Sequence, residues 1–326
     1  MNAPLISVCI PTYRRPDLLR EAVESVVRQE YRPLEIIVGD DSPTPAAENV
    51  VAAALESSGI AVRYRRHTPS LGQSGNVNDL FARARGEYLI LLHDDDFLLP
   101  GAVSALVAPT TEYAGVRLAF GMQRLVRNDG VDLGDQAADG LNRNYHRTRE
   151  AAGVQPSTLA AGLRKQIPNN GYLVASDAAR QTGYRSRELV GDVCDTDFGI
   201  RLGKLLGRDS CCLIAHDTVA MRLSDRSITS RGIVATSAFF DFVEGLDVPP
   251  EDEPAKAACL RSFARAAVRE NATEGNHRRA LEILGSYPQR RLSRALQLVD
   301  APWLISPATM HAVRGGLRRL KSRRAA

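Results

Sequence analysis

The sequence has few residues that could staple or anchor a fold. Its 326 residues include one tryptophan, four methionines and five cysteines. The cysteines (Cys9, Cys194, Cys211, Cys212 and Cys259) are odd in number and lack metal-ligand spacing, which argues against a disulfide scaffold and predicts reduced thiols, as in a cytosol. No uncharged apolar run approaches the roughly 18 residues a membrane-spanning helix needs. The opening MNAPLISVCIPTY has no basic n-region and no cleavable apolar stretch, so a soluble cytoplasmic protein without a signal peptide is expected. There is no Walker loop, no glycine fingerprint after the first apolar run, no internal repeat and no low-complexity tract. What remains is an ordinary globular composition, 44% hydrophobic and 25% charged, able to bury a core over about two domains.

The net charge of +4 is unevenly spread. Residues 251–326 carry 15 Lys/Arg against 7 Asp/Glu, so residues 1–250 are mildly acidic. The end, RGGLRRLKSRRAA (314–326), has six basic residues and no acid. Such a run could make a weak contact with an anionic membrane surface; a solvated end is the simpler account, and nothing else points to nucleic acid.

The first hundred residues alternate between strand and helix. LISVCI, LEIIVGD, Ile60-Val62-Tyr64 and EYLILLH read as strands. Helical spacing follows each of the first three: Leu18 to Val27, Val50 to Leu55, and Val77 to Ala84. This pattern predicts an α/β fold whose parallel strands bind ligands at their carboxyl ends. Further on, Leu118-Phe120-Met122 and GYLVAS read as strands, and DFGIRLGKLLG as a helix stopped by Gly207. The polar, Gly-rich stretch 128–150 reads as a long loop, and beyond Phe240 the pattern is helical only.

Three acidic clusters stand where such a sheet places ligands: Asp40-Asp41, His93-Asp94-Asp95-Asp96, and Asp192, Asp195 and Asp197. An isolated acidic triplet is most often a solvated turn. At the end of a fully apolar strand, however, the carboxylates' repulsion calls for a cation, and carboxylates sharing a hard divalent ion with substrate phosphates is a usual arrangement for magnesium.

Four motifs in order, SVCIPTYRRPDLLREAVESVVRQ, LEIIVGDDS, LGQSGNVNDLFARARGEYLILLHDDDFLLP and GYRSRELVGDVCDTDFGIRLG, resemble the inverting family 2 glycosyltransferases over residues 4–230. The resemblance implies a GT-A-type, Rossmann-like mixed sheet flanked by helices, with a C-terminal helical extension. Residues 1–240 would be the catalytic domain, with a nucleotide-sugar half (1–100) and an acceptor half (101–240). Residues 241–326 would be the helical extension with its basic tail. The resemblance also implies that Pro11, Thr12, Tyr13 and Asp40 contact the nucleotide base, that His93 and Asp94 lie near the ribose, and that Asp95 holds Mg2+ or Mn2+ with Asp96 in support. His93 departs from the family's usual aspartate.

By the same likeness Asp195 is the catalytic base, with Cys194 where a glutamate is usual and Asp192 as the fallback. Ser224 stands where a histidine often serves the diphosphate, so Arg222, Arg226 or His216 would substitute. Asn76 would line the nucleotide cleft, Asn78 would cap its helix, and Asp41 and Asp192 have ordinary turn or helix-capping roles as alternatives.

The implied reaction is metal-dependent, inverting transfer of a sugar from a nucleotide-diphospho-sugar to an acceptor hydroxyl. A UDP-sugar is the favoured donor, with dTDP- or GDP-sugars as alternatives. The acceptor would be a saccharide, a lipid-linked molecule or a small molecule, reached in the cytoplasm or peripherally at the inner membrane face. A nucleotidyltransferase would need a Gly-rich basic loop after the first strand, which only Arg14-Arg15 hint at. A non-catalytic nucleotide-sugar-binding protein is the other rival, because of His93 and Ser224.

Overall fold

The computed structural model describes residues 3–55, 58–223 and 235–287. Ser224, Arg226 and the basic stretch 314–326 lie outside them.

The first apolar run forms β1 (Ile6–Thr12), followed by α1 (Pro16–Val27). Pro16 suits the first turn because its missing N–H would have no helical partner, and Asp17 complements the positive helix end. Then come β2 (Leu34–Asp40), α2 (Ala46–Leu55), β3 (Ala61–Arg66), α3 (Gly72–Arg83) and β4 (Tyr88–Leu91). The four strands pair in parallel in the order β3-β2-β1-β4. One face of β1 (Ile6, Val8, Ile10) packs with Leu19 and Val23 of α1. On its other face the Cys9 thiol reaches Leu80 O of α3. Helices therefore cover both faces, and uninterrupted apolar runs are the strands' sequence signature.

The chain continues through β5 (Phe97–Leu98), α4 (Ala102–Glu112), β6 (Leu118–Val126), α5 (Asp135–Asn144) and β7 (Gly153–Gln155). It then forms α6 (Thr158–Leu163), β8 (Tyr172–Ala175), α7 (Ser176–Thr182), α8 (Arg187–Val190), α9 (Cys194–Leu206) and β9 (Cys211–Arg222). The full sheet order is β3-β2-β1-β4-β8-β6-β9-β5, with β7 also on β9. Because β8 runs antiparallel to both β4 and β6, the sheet is mixed.

Two expectations are corrected. Residues 128–150 are not one long loop: α5 lies within them. Its sequence is too polar to announce a buried face, and only Ala138 and Asn142 are buried. The Asn142 side chain takes the place of a strand neighbour, accepting from Gln123 N at 3.0 Å and donating to Gln123 O at 2.9 Å. Nor is Asn78 a helix cap, since α3 begins six residues earlier at Gly72.

The described residues of 1–188 and 192–233 form one compact unit, and those of 189–191 and 234–326 another. The second contains α10 (Ser237–Glu244), α11 (Glu253–Thr273) and α12 (His277–Ser286). Phe239 of α10 meets Phe263 of α11 edge-on, with ring centroids 5.1 Å apart. Among the described residues, no helix is long and apolar enough to cross a membrane. All five cysteines are buried and free of disulfides.

Candidate active site

The parallel pairing of β1 with β4 brings the PTYRR turn beside the acidic run, and Leu92 N donates to Cys9 O just before the strands part. Asp94 is the junction. Its carboxylate accepts from Thr12 Oγ1 at 2.7 Å, from Tyr13 N at 3.4 Å and from Arg15 Nη1 at 3.2 Å. Burial and the neighbouring Asp95 push its pKa up, against the opposing pull of Thr12 and Arg15. Arg15 also donates to Asp95 Oδ2 at 2.6 Å. The Tyr13 ring is half exposed, with Arg14 over its face.

The register places Asp40 beside Thr12. Asp40 is fully buried, accepting from Tyr64 Oη at 2.6 Å and Ser42 N at 2.8 Å. Asn76 sits against the end of β2: its Nδ2 donates to Gly39 O at 2.8 Å, and its Oδ1 is so close that a Cβ at residue 39 would collide with it. Glycine at 39 is what admits this contact. Asp41 accepts from His67 Nδ1 at 2.9 Å, while His67 Nε2 lies 3.1 Å from Asp79, itself paired with Arg83 and Arg65.

His93, Asp95 and Asp96 form the second part of the site, with one potential ligand atom from each within 4.8 Å of the others. Asp96 is buried, accepting from Arg222 N and from Asn170 Nδ2, each at 2.8 Å. Burial and Asp95 push its pKa up to about 6. Asn170 Nδ2 also lies 3.3 Å from His93 Nδ1. Asn170 is set by Gly171, whose φ of +72° disfavours other residues and whose N–H is fixed on Leu91 O. Arg222 directs its guanidinium at protein acceptors: Asp95 O, the carbonyls of residues 127 and 128, and Glu21. His216 is exposed in mid-β9.

The third acidic cluster lies in the first turn of α9 and just before it. Asp197 is fully buried and is held by Arg185 and Arg201. Asp195 accepts from Tyr184 Oη at 3.1 Å. Burial raises its pKa, opposed by the nearby His93 and by the hydrogen bond from Tyr184. Asp192 pairs with Arg187, and Val193, not Asp192, is the N-cap of α9.

The sequence reading missed Tyr64, His67, Asn170 and Tyr184. Two had local signals: His67 directly follows a strand, and Asn169-Asn170-Gly171 is a turn sequence before a buried one.

The Glycosyl transferase family 2 model matches residues 7–163. An uncharacterized protein of Mycobacterium tuberculosis is 30% identical over 240 residues, covering 72% of this chain and 71% of that protein. The chain belongs to glycosyl transferase family 2. The chain is also similar to the GalNAc(5)-diNAcBac-PP-undecaprenol beta-1,3-glucosyltransferase of Campylobacter jejuni, 36% identical over 141 residues. That match covers 43% of this chain and 45% of the Campylobacter protein, less than half its length. The GT-A fold of this family-2 chain is shared with two solved structures. S. aureus TarS 1–349 in complex with UDP-GlcNAc has a TM-score of 0.60 at 14% identity, covering 87% of this chain and 82% of that one. Mannosyltransferase PcManGT from Pyrobaculum calidifontis, in complex with GDP-Man and Mn2+, has a TM-score of 0.60 at 15% identity, covering 95% and 85%.

Proposed function

We propose that this chain transfers a glycosyl group from a nucleotide-diphospho-sugar to an acceptor hydroxyl in a single, inverting displacement. The observation that carries the reading is a chain of contacts to the end of β4: Asp195 accepts from Tyr184 Oη at 3.1 Å, that hydroxyl lies 3.2 Å from Tyr172 Oη, and Tyr172 pairs with Leu91, two residues before His93 of the cluster with Asp95 and Asp96. In this reading a proton acceptor works beside a group of anions suited to a cation and a diphosphate. Structural neighbours in complex with UDP-GlcNAc, and with GDP-Man and Mn2+, support a nucleotide-sugar donor.

In this reading Tyr13 offers its exposed ring to the nucleotide base, with Pro11, Thr12 and Asp40 shaping the pocket floor. Asn76 fixes the end of β2 beneath it. Asp94, oriented by Thr12 and Arg15, accepts from the ribose hydroxyls. Asp95, with His93 and Asp96 beside it, would hold Mg2+ or Mn2+, which when bound supplies positive charge to the departing diphosphate. Carboxylate ligands suit either ion, while the imidazole nitrogen is less suited to Mg2+, so the donor set leans towards Mn2+. Arg222 braces the Asp95 carbonyl and the Asp96 carboxylate instead of reaching for substrate. Asp195 takes the acceptor's proton as general base, and its raised pKa makes it a stronger acceptor than an exposed aspartate. Residues 1–100 would then serve the donor and 101–240 the acceptor.

Calorimetry of UDP and GDP binding, with and without Mn2+, tests this assignment. Asp95→Ala should abolish the metal dependence, and Asp94→Ala should weaken binding while retaining it. Unchanged metal-dependent binding in Asp95→Ala would contradict the reading.

A further inference from the structure

Arg147 follows α5 and is 2% exposed, yet its Nε and Nη1 have no hydrogen-bond partner among the described residues. The guanidinium lies over the Tyr145 ring, 5.0 Å from its centroid. Other arginines near the site are matched with acids: Arg222 with Glu21, and Arg185 and Arg201 with Asp197. Burial pushes the Arg147 pKa down to about 10, which still leaves it charged at neutral pH. A buried guanidinium with two unpartnered nitrogens, and no acidic partner among the described residues, is unfavourable unless a ligand completes it.

Its surroundings supply complementary groups. Gln123 and Gln166 are 1% and 3% exposed; Gln123 Nε2 is an unpartnered donor and Gln166 Oε1 an unpartnered acceptor among the described residues. Asn142 links Gln123 to Arg147: its side chain bridges the Gln123 backbone, and its carbonyl accepts from Arg147 N at 2.8 Å. Gln166 Nε2 donates to His146 O at 2.9 Å, next to Arg147. Four residues beyond Gln166, Asn170 bonds Asp96 and itself has a buried, unpartnered Oδ1. The unsatisfied polar groups therefore connect with the acidic cluster through one short loop.

We propose that Arg147 and Gln123 form a binding site for an oxyanion, a phosphate or carboxylate group carried by the acceptor. Two guanidinium N–H donors and one amide donor suit such a group, and Gln166 Oε1 would receive a hydroxyl beside it. A neutral sugar or water could satisfy the hydrogen bonds but would leave the charge unbalanced. That the group belongs to the acceptor rests on the glycosyl-transfer reading; the oxyanion site itself does not.

The test is thermal unfolding of the full chain in EDTA at constant ionic strength, titrated with inorganic phosphate, acetate, glucose 1-phosphate and glucose. Phosphate or acetate should raise Tm by a few degrees at concentrations up to about 50 mM, because a ligand bound to the native state stabilises it. The shift should persist in Asp95→Ala, vanish in Arg147→Met and shrink in Gln123→Leu, while glucose alone should do nothing. A larger effect of glucose 1-phosphate than of phosphate supports the acceptor assignment; an equal or smaller one overturns that assignment. No stabilisation of wild type by any oxyanion, or a shift retained in Arg147→Met, overturns the site. If Arg147→Met does not fold, a full shift in both Arg147→Lys and Gln123→Leu overturns it equally. Because these readouts need neither metal nor donor, they are independent of the fate of Asp195 and Asp95 as assigned above.

Discussion

The Tyr184 hydroxyl donates to Asp195 Oδ1 at 3.1 Å, from a ring held between Phe198, stacked at 4.6 Å, and Phe81, edge-on at 6.0 Å. The Tyr184 backbone is fixed too, since Asn78 Nδ2 donates to its carbonyl at 2.9 Å and its N–H donates to Asn78 Oδ1 at 2.7 Å. A carboxylate held this way has its orientation set before an acceptor arrives, and the hydrogen bond favours its charged form. Tyr184→Phe keeps the ring and removes the donor. Transfer should fall roughly tenfold, as expected for one lost hydrogen bond to a charged group. The Asp195 pKa, already raised by burial, should rise further, so the acid limb of the rate profile should move to higher pH. A pH–rate profile identical to wild type would show that Tyr184 does not act through Asp195.

The two aspartates around the start of α9 should separate cleanly. Asp195→Asn keeps the shape and removes proton acceptance, so transfer should drop by about 10²–10⁴-fold with donor affinity near wild type. Asp192→Asn loosens an ion pair with the exposed Arg187 and should cost far less. Steady-state kinetics of the pair decides it: loss of transfer in Asp192→Asn with retention in Asp195→Asn would place the base three residues earlier.

The parts readable in the sequence are those whose signals are local. The β1 and β4 segments are continuous apolar runs, because helices cover both faces of the sheet, and the acids that follow them stand at strand ends. The α5 segment and β9 hid because their stabilising contacts are not written in hydrophobic periodicity. One relies on a single asparagine bridging a strand, and the other is exposed at Ala215 and His216 in its middle and shifts register along β6. The same reasoning applies within the site. Thr12 and Asp94 fall in motifs, but the pairings of Asn170 with Asp96 and of Asn78 with Tyr184 join residues 74 and 106 positions apart. Only the assembled sheet brings such pairs together.

Arg15 shares the Asp95 carboxylate with any cation bound there. The arginine side chain is 48% exposed, so the contact is worth a surface ion pair, roughly 0.2–1 kcal/mol. Arg15→Gln should therefore tighten Mn2+ binding to the nucleotide-free protein by about two- to fivefold. Electron paramagnetic resonance of free Mn2+ measures this directly, and weaker binding in the variant would mean that Arg15 supports the metal instead of competing with it.

His67, just after β3, joins Asp41 to Asp79 of α3. His67→Leu fills the space but leaves both carboxylates short of a partner, the Asp41 one deeply buried. Loss of the buried hydrogen bonds should cost roughly 1–3 kcal/mol, visible as a lower urea midpoint. An unchanged midpoint would mean that solvent replaces the histidine at no cost.

Release of nucleoside diphosphate from UDP-, GDP- and dTDP-sugars, with water taking the glycosyl group and Mn2+ or Mg2+ supplied, tests the proposed activity most directly. Wild type should release it from at least one donor only when metal is present, Asp95→Ala should lose this, and Asp195→Asn should be slower by about 10²–10⁴-fold. No release from any donor with either ion, or release by Asp95→Ala equal to wild type, would contradict glycosyl transfer at this site.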